Sequence, residues 1–184
     1  MDGEMRRITA KCRAALHSLN LPERFTVGQL LAATSEKTGR EVMVQEADLS
    51  GSAPFGMVLE TATTYMIFYP RNTTRLHQGH IILHEDAHVL MHLSEDTGAG
   101  PSHGSGFEAV VRTLMPDLHP DLEPRVRGRT TYEDAQEREA EQFATMVQAR
   151  LIAPVLQQRA DEEFPAGLRA LFDVPSRGIE VPSS

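Results

Sequence analysis

The sequence predicts a single α+β domain in which a small antiparallel β-sheet packs on a helical core. Strand-like runs, rich in β-branched and aromatic residues, are confined to residues 41–69, and runs with helical apolar spacing lie on either side of them. A length of 184 residues and a hydrophobic fraction of 40% suit one globular unit with its own core. Strands and helices that are segregated in this way are typical of α+β proteins.

Composition argues against several classes of protein. A net charge of −8 disfavours direct binding of nucleic acid, which requires clustered Lys and Arg. The one cysteine, Cys12, excludes an internal disulfide and fits a reducing compartment. The N-terminus lacks the apolar segment of a signal peptide, and no run approaches the roughly 20 apolar residues of a membrane span. We therefore expect a cytoplasmic protein that binds neither nucleic acid nor membrane directly.

Two helices are predicted at the N-terminus. Residues 4–19 carry apolar side chains at helical spacing, and residues 1–24 are interpreted as an N-terminal helical extension. Thr26 is the expected N-cap of a second, short helix that ends near Gly39. A DNA-reading helix-turn-helix is disfavoured, because the segment after Gly39 is strand-like and the charge balance is wrong.

The β-sheet is predicted to contain three strands before a histidine-rich helix. Residues 41–45 alternate as a half-buried strand does, and residues 57–60 and 63–69 give two further strand-like runs. We expect the strands to pair in antiparallel fashion. The edge near residues 63–69 is expected to accept an extended substrate segment as an added strand.

The histidine-rich helix carries the central motif of the chain. Thr73 and Thr74 are its candidate N-caps. Within it, His84-Glu85-x-x-His88 places two imidazoles one turn apart, so that both reach a single zinc ion. Glu85 is then free of the metal and available as a base that acts on water.

Neighbouring pairs of histidines on this helix offer alternatives. His84 and His92 lie about 12 Å apart along the axis, too far for one ion with Zn–N bonds of about 2.0–2.1 Å. The pairs His80/His84 and His88/His92 are geometrically allowed. We favour His84/His88, because only this pair has a Glu directly after its first member.

A catalytic zinc needs a third protein ligand, and a later helix supplies the candidates. Thr130-x-x-Glu133 has the form of a capping box. The run from Thr131 to about Leu151 contains no Gly or Pro, and Pro154 is expected to end the helix.

Glu137 is the preferred third ligand. It shares a helix face with Ala140 and Ala144, whose small side chains allow close approach of the two helices. Glu141 is expected as an alternative ligand or as an acceptor for a histidine N–H. Glu139 lies about 200° around the helix axis from Glu137 and is expected to face water, and a solvated acidic face is the plain alternative for such a helix.

These residues resemble the ImmA/IrrE family of metallo-endopeptidases. That family has a zinc helix of the His-Glu-x-x-His type, often followed by apolar residues and a further His, as here at His92. A later helix reads Glu-x-x-Ala-x-x-Phe-Ala, matched by residues 137–144, and a small β-sheet precedes the zinc helix. The resemblance covers about residues 25–154.

The resemblance implies a zincin-like helical core, one Zn²⁺ ion held by His84, His88 and Glu137, and Glu85 as the general base. It also implies a protein substrate, expected to be a DNA-binding repressor of the helix-turn-helix type. Cleavage of such a repressor relieves repression in stress responses or in the control of mobile elements.

Two departures from the family pattern lie outside the ligands. Asp86 occupies a position that is usually apolar, and the Leu-Leu-Met-Pro-like ending after Phe-Ala is displaced to residues 151–154. Residues 25–155 are expected to form the zinc metallopeptidase domain, followed at residues 156–184 by a helical segment and a disordered tail.

The expected function is hydrolysis of a peptide bond by a zinc endopeptidase. Two alternatives stay open. One is a non-catalytic metal-binding module that sequesters a regulatory protein partner. The other is a purely structural helix whose histidines are surface polar groups.

Overall fold

The computed structural model describes residues 2–47, 56–93, 127–129 and 134–157. The elements in these ranges are α1 Asp2–His17, α2 Val27–Thr38, β1 Glu41–Ala47, β2 Met57–Glu60, β3 Thr64–Pro70, α3 Arg75–His88, a π-helical segment Val89–Leu93, β4 Arg127–Arg129 and α4 Asp134–Gln157. The α+β class is confirmed. The predicted capping box at 130–133 and nearly all of the predicted C-terminal segment at 156–184 lie outside the described residues.

The sheet is mixed, so the expectation of a purely antiparallel sheet is wrong. Its strand order is β1-β3-β2-β4, with β1 parallel to β3 and β2 antiparallel to both β3 and β4. β1, β2 and β3 reverse direction in turn, but β1 pairs with β3 rather than with β2, so two strands that run the same way lie side by side. The arrangement also places β3 inside the sheet, between two paired neighbours.

The sequence signals at the ends of α2 act as predicted. Thr26 accepts a hydrogen bond from the Gln29 N–H at 3.2 Å, and the Thr26 N–H donates to the Gln29 side chain at 2.9 Å. Gly39 ends the helix in the left-handed conformation at φ 70°, which an L side chain adopts only with strain. Two orphan helix-end groups are satisfied in this way, which explains why the boundaries are readable from the sequence.

Helix α3 is fixed to the end of the sheet at its first turn. The N-cap Thr74 accepts from the His77 N–H, and the Gln78 side chain donates to the carbonyls of Pro70 and Arg71. From Val89 onward the helix continues with the wider π winding, a form often found beside functional sites.

Helices α3 and α4 pack against each other, and α1 packs on α4. Ala140 and Ala144 are fully buried, as expected for small residues at a close helix contact. Pro154 does not end α4, which continues to Gln157, so that prediction is wrong. A proline removes one helical hydrogen bond and crowds the carbonyl four residues earlier, but Pro154 lies in the last turn of α4, where little helix remains to be disrupted. None of the helices in the described ranges is long and apolar enough to span a bilayer.

Candidate metal centre

The motif on α3 brings two imidazole nitrogens to one point. His84 and His88 are one turn apart, and their Nε2 atoms lie 3.1 Å from each other. The two rings meet edge to face, with centroids 4.9 Å apart. His88 is fully buried, whereas the His84 side chain is 20% exposed. The pair therefore has one face in the core and one face toward the surface.

Helix α4 adds a carboxylate to this pair. Glu137 Oε2 lies 3.3 Å from His84 Nε2, and Glu137 Oε1 lies 3.6 Å from His88 Nε2. One donor atom from each of the three residues falls within 4.8 Å of the other two. The structure thus brings together the three residues that the sequence analysis selected.

The donors at this point suit a zinc ion. Two imidazole nitrogens and one carboxylate oxygen form a three-residue set of the kind that holds catalytic zinc and leaves a further position open. The Glu137 side chain is 45% exposed, so the cluster is accessible from the surface on the α4 side. The chemistry of the donor set fits the metal, and the contact of α3 with α4 creates it.

Glu85 is buried directly beside the cluster. A β-carbon on Gly56 would lie 2.5 Å from Glu85 Oε1, which shows how closely the carboxyl group packs on the backbone before β2. Burial, and secondly the negative charge of Glu137, raise the pKa of Glu85 to about 8. Among the described residues, Glu85 Oε2 has no hydrogen-bond partner. A buried acid next to a cluster of metal-type donors is placed for proton transfer to a group held there.

Glu141 lies on the outer side of the cluster as a neighbour of His84. Its Oε2 is 3.6 Å from His84 Nδ1, the nitrogen that faces away from the cluster, and 3.1 Å from His80 Nε2. Of the two roles expected for Glu141, this position favours the acceptor over the ligand. Burial tends to raise the pKa of Glu141, but hydrogen bonding to His80 and the charges of His80 and His84 outweigh it and lower the pKa.

Glu139 does not face water, which corrects the expectation for it. Its side chain is 17% exposed, accepts from His92 Nε2 at 3.0 Å, and pairs with Lys11 on α1. Burial tends to raise the pKa of Glu139, but the hydrogen bonds from His92 and Lys11 prevail and lower it. The sequence contained a signal for His92, four residues after His88, but none that pointed to Lys11.

Asp86 is also buried, on a different side of α3. Its Oδ2 accepts from the Thr34 hydroxyl on α2 at 3.1 Å, and its Oδ1 lacks a partner within the described part of the chain. Burial raises the pKa of Asp86 to about 8, and the Thr34 hydrogen bond opposes this only in part. The departure from an apolar residue at this position therefore leads to a polar contact between α2 and α3.

Searches of known protein families, of curated proteins and of solved structures find no match to this chain.

Proposed function

We propose that the chain is a zinc-dependent endopeptidase in which His84, His88 and Glu137 hold one Zn²⁺ ion and Glu85 is the general base. The observation that supports this proposal most directly is the meeting of three metal-type donors from two helices beside a buried carboxyl group. A zincin-like core is the finer fold assignment that goes with it. A reducing, cytoplasmic location fits the single cysteine.

The chemistry requires a proton carrier next to the cluster. Zinc in such a site supplies Lewis-acid polarisation of a carbonyl and acidifies water. Glu85 accepts a proton from the attacking water and delivers it to the leaving amine. Its carboxyl group ionises more readily once the charge of Glu137 is neutralised, because that charge is one cause of the raised pKa. Contact with Gly56 holds the carboxyl group in place.

The substrate class is a protein, and a DNA-binding repressor is the member of that class which the family resemblance implies. The expectation that a substrate strand adds to the edge at residues 63–69 is wrong, because β3 is hydrogen-bonded on both sides. In the described sheet the outer strands are β1 and β4. Strand addition, if the enzyme uses it, involves one of these two.

The alternative is a metal-binding module without catalysis that sequesters a regulatory protein. The same three donors serve an enzyme and a binding module equally well. The two functions differ in whether they need Glu85 as a base. Glu85 adjoins the donor cluster, close enough for the charge of Glu137 to raise its pKa, and a module that only binds metal has no use for a proton carrier at that place, which favours the enzyme.

The test begins with metal content. Protein purified without a histidine tag and then freed of metal should take up one equivalent of zinc and gain thermal stability. Glu137→Ala and His84→Ala should remove this uptake, whereas Glu85→Gln should retain it. Absence of zinc uptake by the wild-type chain would eliminate the metal site and favour the structural-helix alternative.

Activity is measured on a repressor encoded next to the gene for this chain, with mass spectrometry of the products. The wild-type protein with zinc should cut the repressor at a defined bond, and Glu85→Gln should not. Cleavage at an undiminished rate by Glu85→Gln would rule out this mechanism. Tight binding of the repressor without cleavage by the wild-type protein would favour the sequestering module.

A further inference from the structure

A row of polar side chains runs from the buried metal-facing imidazole to the surface of the N-terminal helix. His88 Nδ1 lies 3.1 Å from His92 Nδ1, and His92 Nε2 lies 3.0 Å from Glu139 Oε2. The same carboxylate pairs with Lys11 on α1. Three helical elements, α3 with its π-helical continuation, α4 and α1, thus contribute to one row.

The order of protons along this row follows from hydrogen-bond chemistry. A neutral imidazole carries one N–H, so a His88 that offers Nε2 to a metal must carry its proton on Nδ1. That N–H then donates to His92 Nδ1, which must be unprotonated. His92 therefore carries its proton on Nε2 and donates it to Glu139, which can only accept.

The opposite order is incompatible with a metal at this point. If His92 Nδ1 donates to His88 Nδ1, the His88 proton moves to Nε2 and faces Glu137 and His84. The two orders are equivalent for the His88–His92 contact alone. For a neutral His92, Glu139 selects the first order, because a carboxylate next to His92 Nε2 requires the one proton to be there and leaves Nδ1 as an acceptor.

We infer that His92 and Glu139 are positioning residues that hold His88 in the tautomer with Nε2 unprotonated, and that Lys11 extends this support to α1. The inference deepens the proposed metal site and rests on it. Metal-bound histidines commonly donate their other N–H to a partner of this kind, and loss of the partner lowers metal affinity. Here the partner is a second histidine, whose own proton is fixed by a carboxylate.

Burial makes the hydrogen bonds of this row hard to replace by hydrogen bonds to water. The His88 and His92 side chains are 0% and 3% exposed, so water does not replace a lost hydrogen bond easily. The Cys12 thiol also donates to the Glu139 backbone carbonyl at 3.4 Å, which ties the same turn of α4 to α1. On the opposite side of the cluster, the partner of His84 is Glu141, whose side chain is 59% exposed. The two ligands are thus supported unequally.

The experiment compares zinc affinity in four full-length proteins by competition with a chromophoric chelator. His92→Leu removes the acceptor and should raise the zinc Kd about 10- to 100-fold. His92→Asn restores an oxygen acceptor near the place of Nδ1 and should recover part of this loss. His77→Asn, on the exposed part of α3, is the matched control and should bind zinc as the wild type does.

A cobalt-substituted sample and the metal-free protein provide two readouts besides affinity. The visible absorption of Co²⁺ should change in His92→Leu and return toward the wild-type spectrum in His92→Asn. Metal-free His92→Leu loses two buried hydrogen bonds and should unfold at a lower temperature than the wild type, but a single cooperative transition would show that the fold is kept. An unchanged Kd and an unchanged Co²⁺ spectrum in His92→Leu, with normal zinc binding by the wild type, would overturn this inference and leave the proposed function standing. A wild-type chain that binds no zinc would overturn both.

Discussion

Glu85 and Asp86 are adjacent in the sequence and nearly identical by the usual signs of a functional acid. Both are buried on α3, both have a pKa raised to about 8, and each has one oxygen without a partner among the described residues. They differ in what they face. Glu85 lies beside Glu137 and Gly56, whereas Asp86 faces Thr34 on α2. Burial and a raised pKa therefore do not identify a catalytic carboxyl group, and its neighbours do.

The largest expected effect separates the two acids by activity. Exchange of carboxyl for amide in Glu85→Gln should lower repressor cleavage about 10²- to 10⁴-fold, the usual contribution of a general base. The matched variant Asp86→Asn keeps an acceptor for Thr34 and should cleave at close to the wild-type rate. The measurement is the rate of product formation at saturating zinc, compared among the wild type and the two variants. Equal losses in both variants would show that the two acids are not functionally distinct.

The next effect concerns stability as a function of pH in the metal-free protein. The ordinary pKa values of Asp86 and Glu85 are 3.8 and 4.5, and both are raised to about 8 in the fold. The folded chain therefore holds protons that the unfolded chain releases, and stability should fall as the pH rises from about 4 to 8.

Asp86→Asn removes one of these two contributions. Its unfolding free energy, measured by urea titration across that pH window, should fall less steeply than that of the wild type, by about 1.4 kcal/mol less per pH unit while one proton is involved. An identical slope in the two proteins would contradict the assignment of a raised pKa to Asp86.

A smaller effect is expected on the Glu85 side of the helix. In Gly56→Ala the new β-carbon would lie 2.5 Å from Glu85 Oε1 and 2.7 Å from an Ile81 methyl carbon, so both side chains must move. Overpacking of this kind costs about 1–3 kcal/mol. Cleavage should fall together with stability, while zinc binding should persist. Gly3→Ala, at a position with no atom near the added carbon, is the control. Wild-type cleavage in Gly56→Ala would argue against placement of Glu85 by this contact.

The smallest effect is expected on the Asp86 side. Thr34→Val removes the hydroxyl that donates to Asp86 and should lower stability by about 1 kcal/mol, the lower end of the cost of leaving a buried acceptor without its donor. The double variant Thr34→Val with Asp86→Leu makes both partners apolar and should recover this loss. Zinc affinity should be unaffected in each. A loss of zinc binding in Thr34→Val would mean that the α2 side also supports the metal centre.

Local signals explain most of what the sequence predicts correctly. The capping box at Thr26, the left-handed Gly39 and the spacing of His84 and His88 depend on neighbours within a few residues. Glu137 lies next to the two histidines, as predicted, because it shares a face of α4 with the buried residues Ala140 and Ala144. The helical spacing of residues is sufficient to predict which side chains meet when both partners are regular helices.

Apart from the end of α4, where Pro154 does not stop the helix, the errors concern contacts between distant parts of the chain. The pairing of β1 with β3 depends on where the β2–β3 hairpin docks, which no strand-length pattern encodes. Glu139 is drawn inward by Lys11 and His92, which come from two other elements. The motif pointed to Glu85 as the base, but the burial of Asp86 against Thr34 could not be predicted, since Thr34 becomes its neighbour only in the folded chain.

The position of β3 inside the sheet has a consequence for the order of folding. The β2–β3 hairpin is local in sequence and is expected to form early, with β1 joining its other side afterwards. Glu137 comes far later in the chain than His84 and His88, so a nascent chain presents two imidazoles well before the carboxylate arrives. Under the proposed function, tight capture of zinc is then among the last events of maturation, and a chelator present during refolding should leave the earlier steps unaltered.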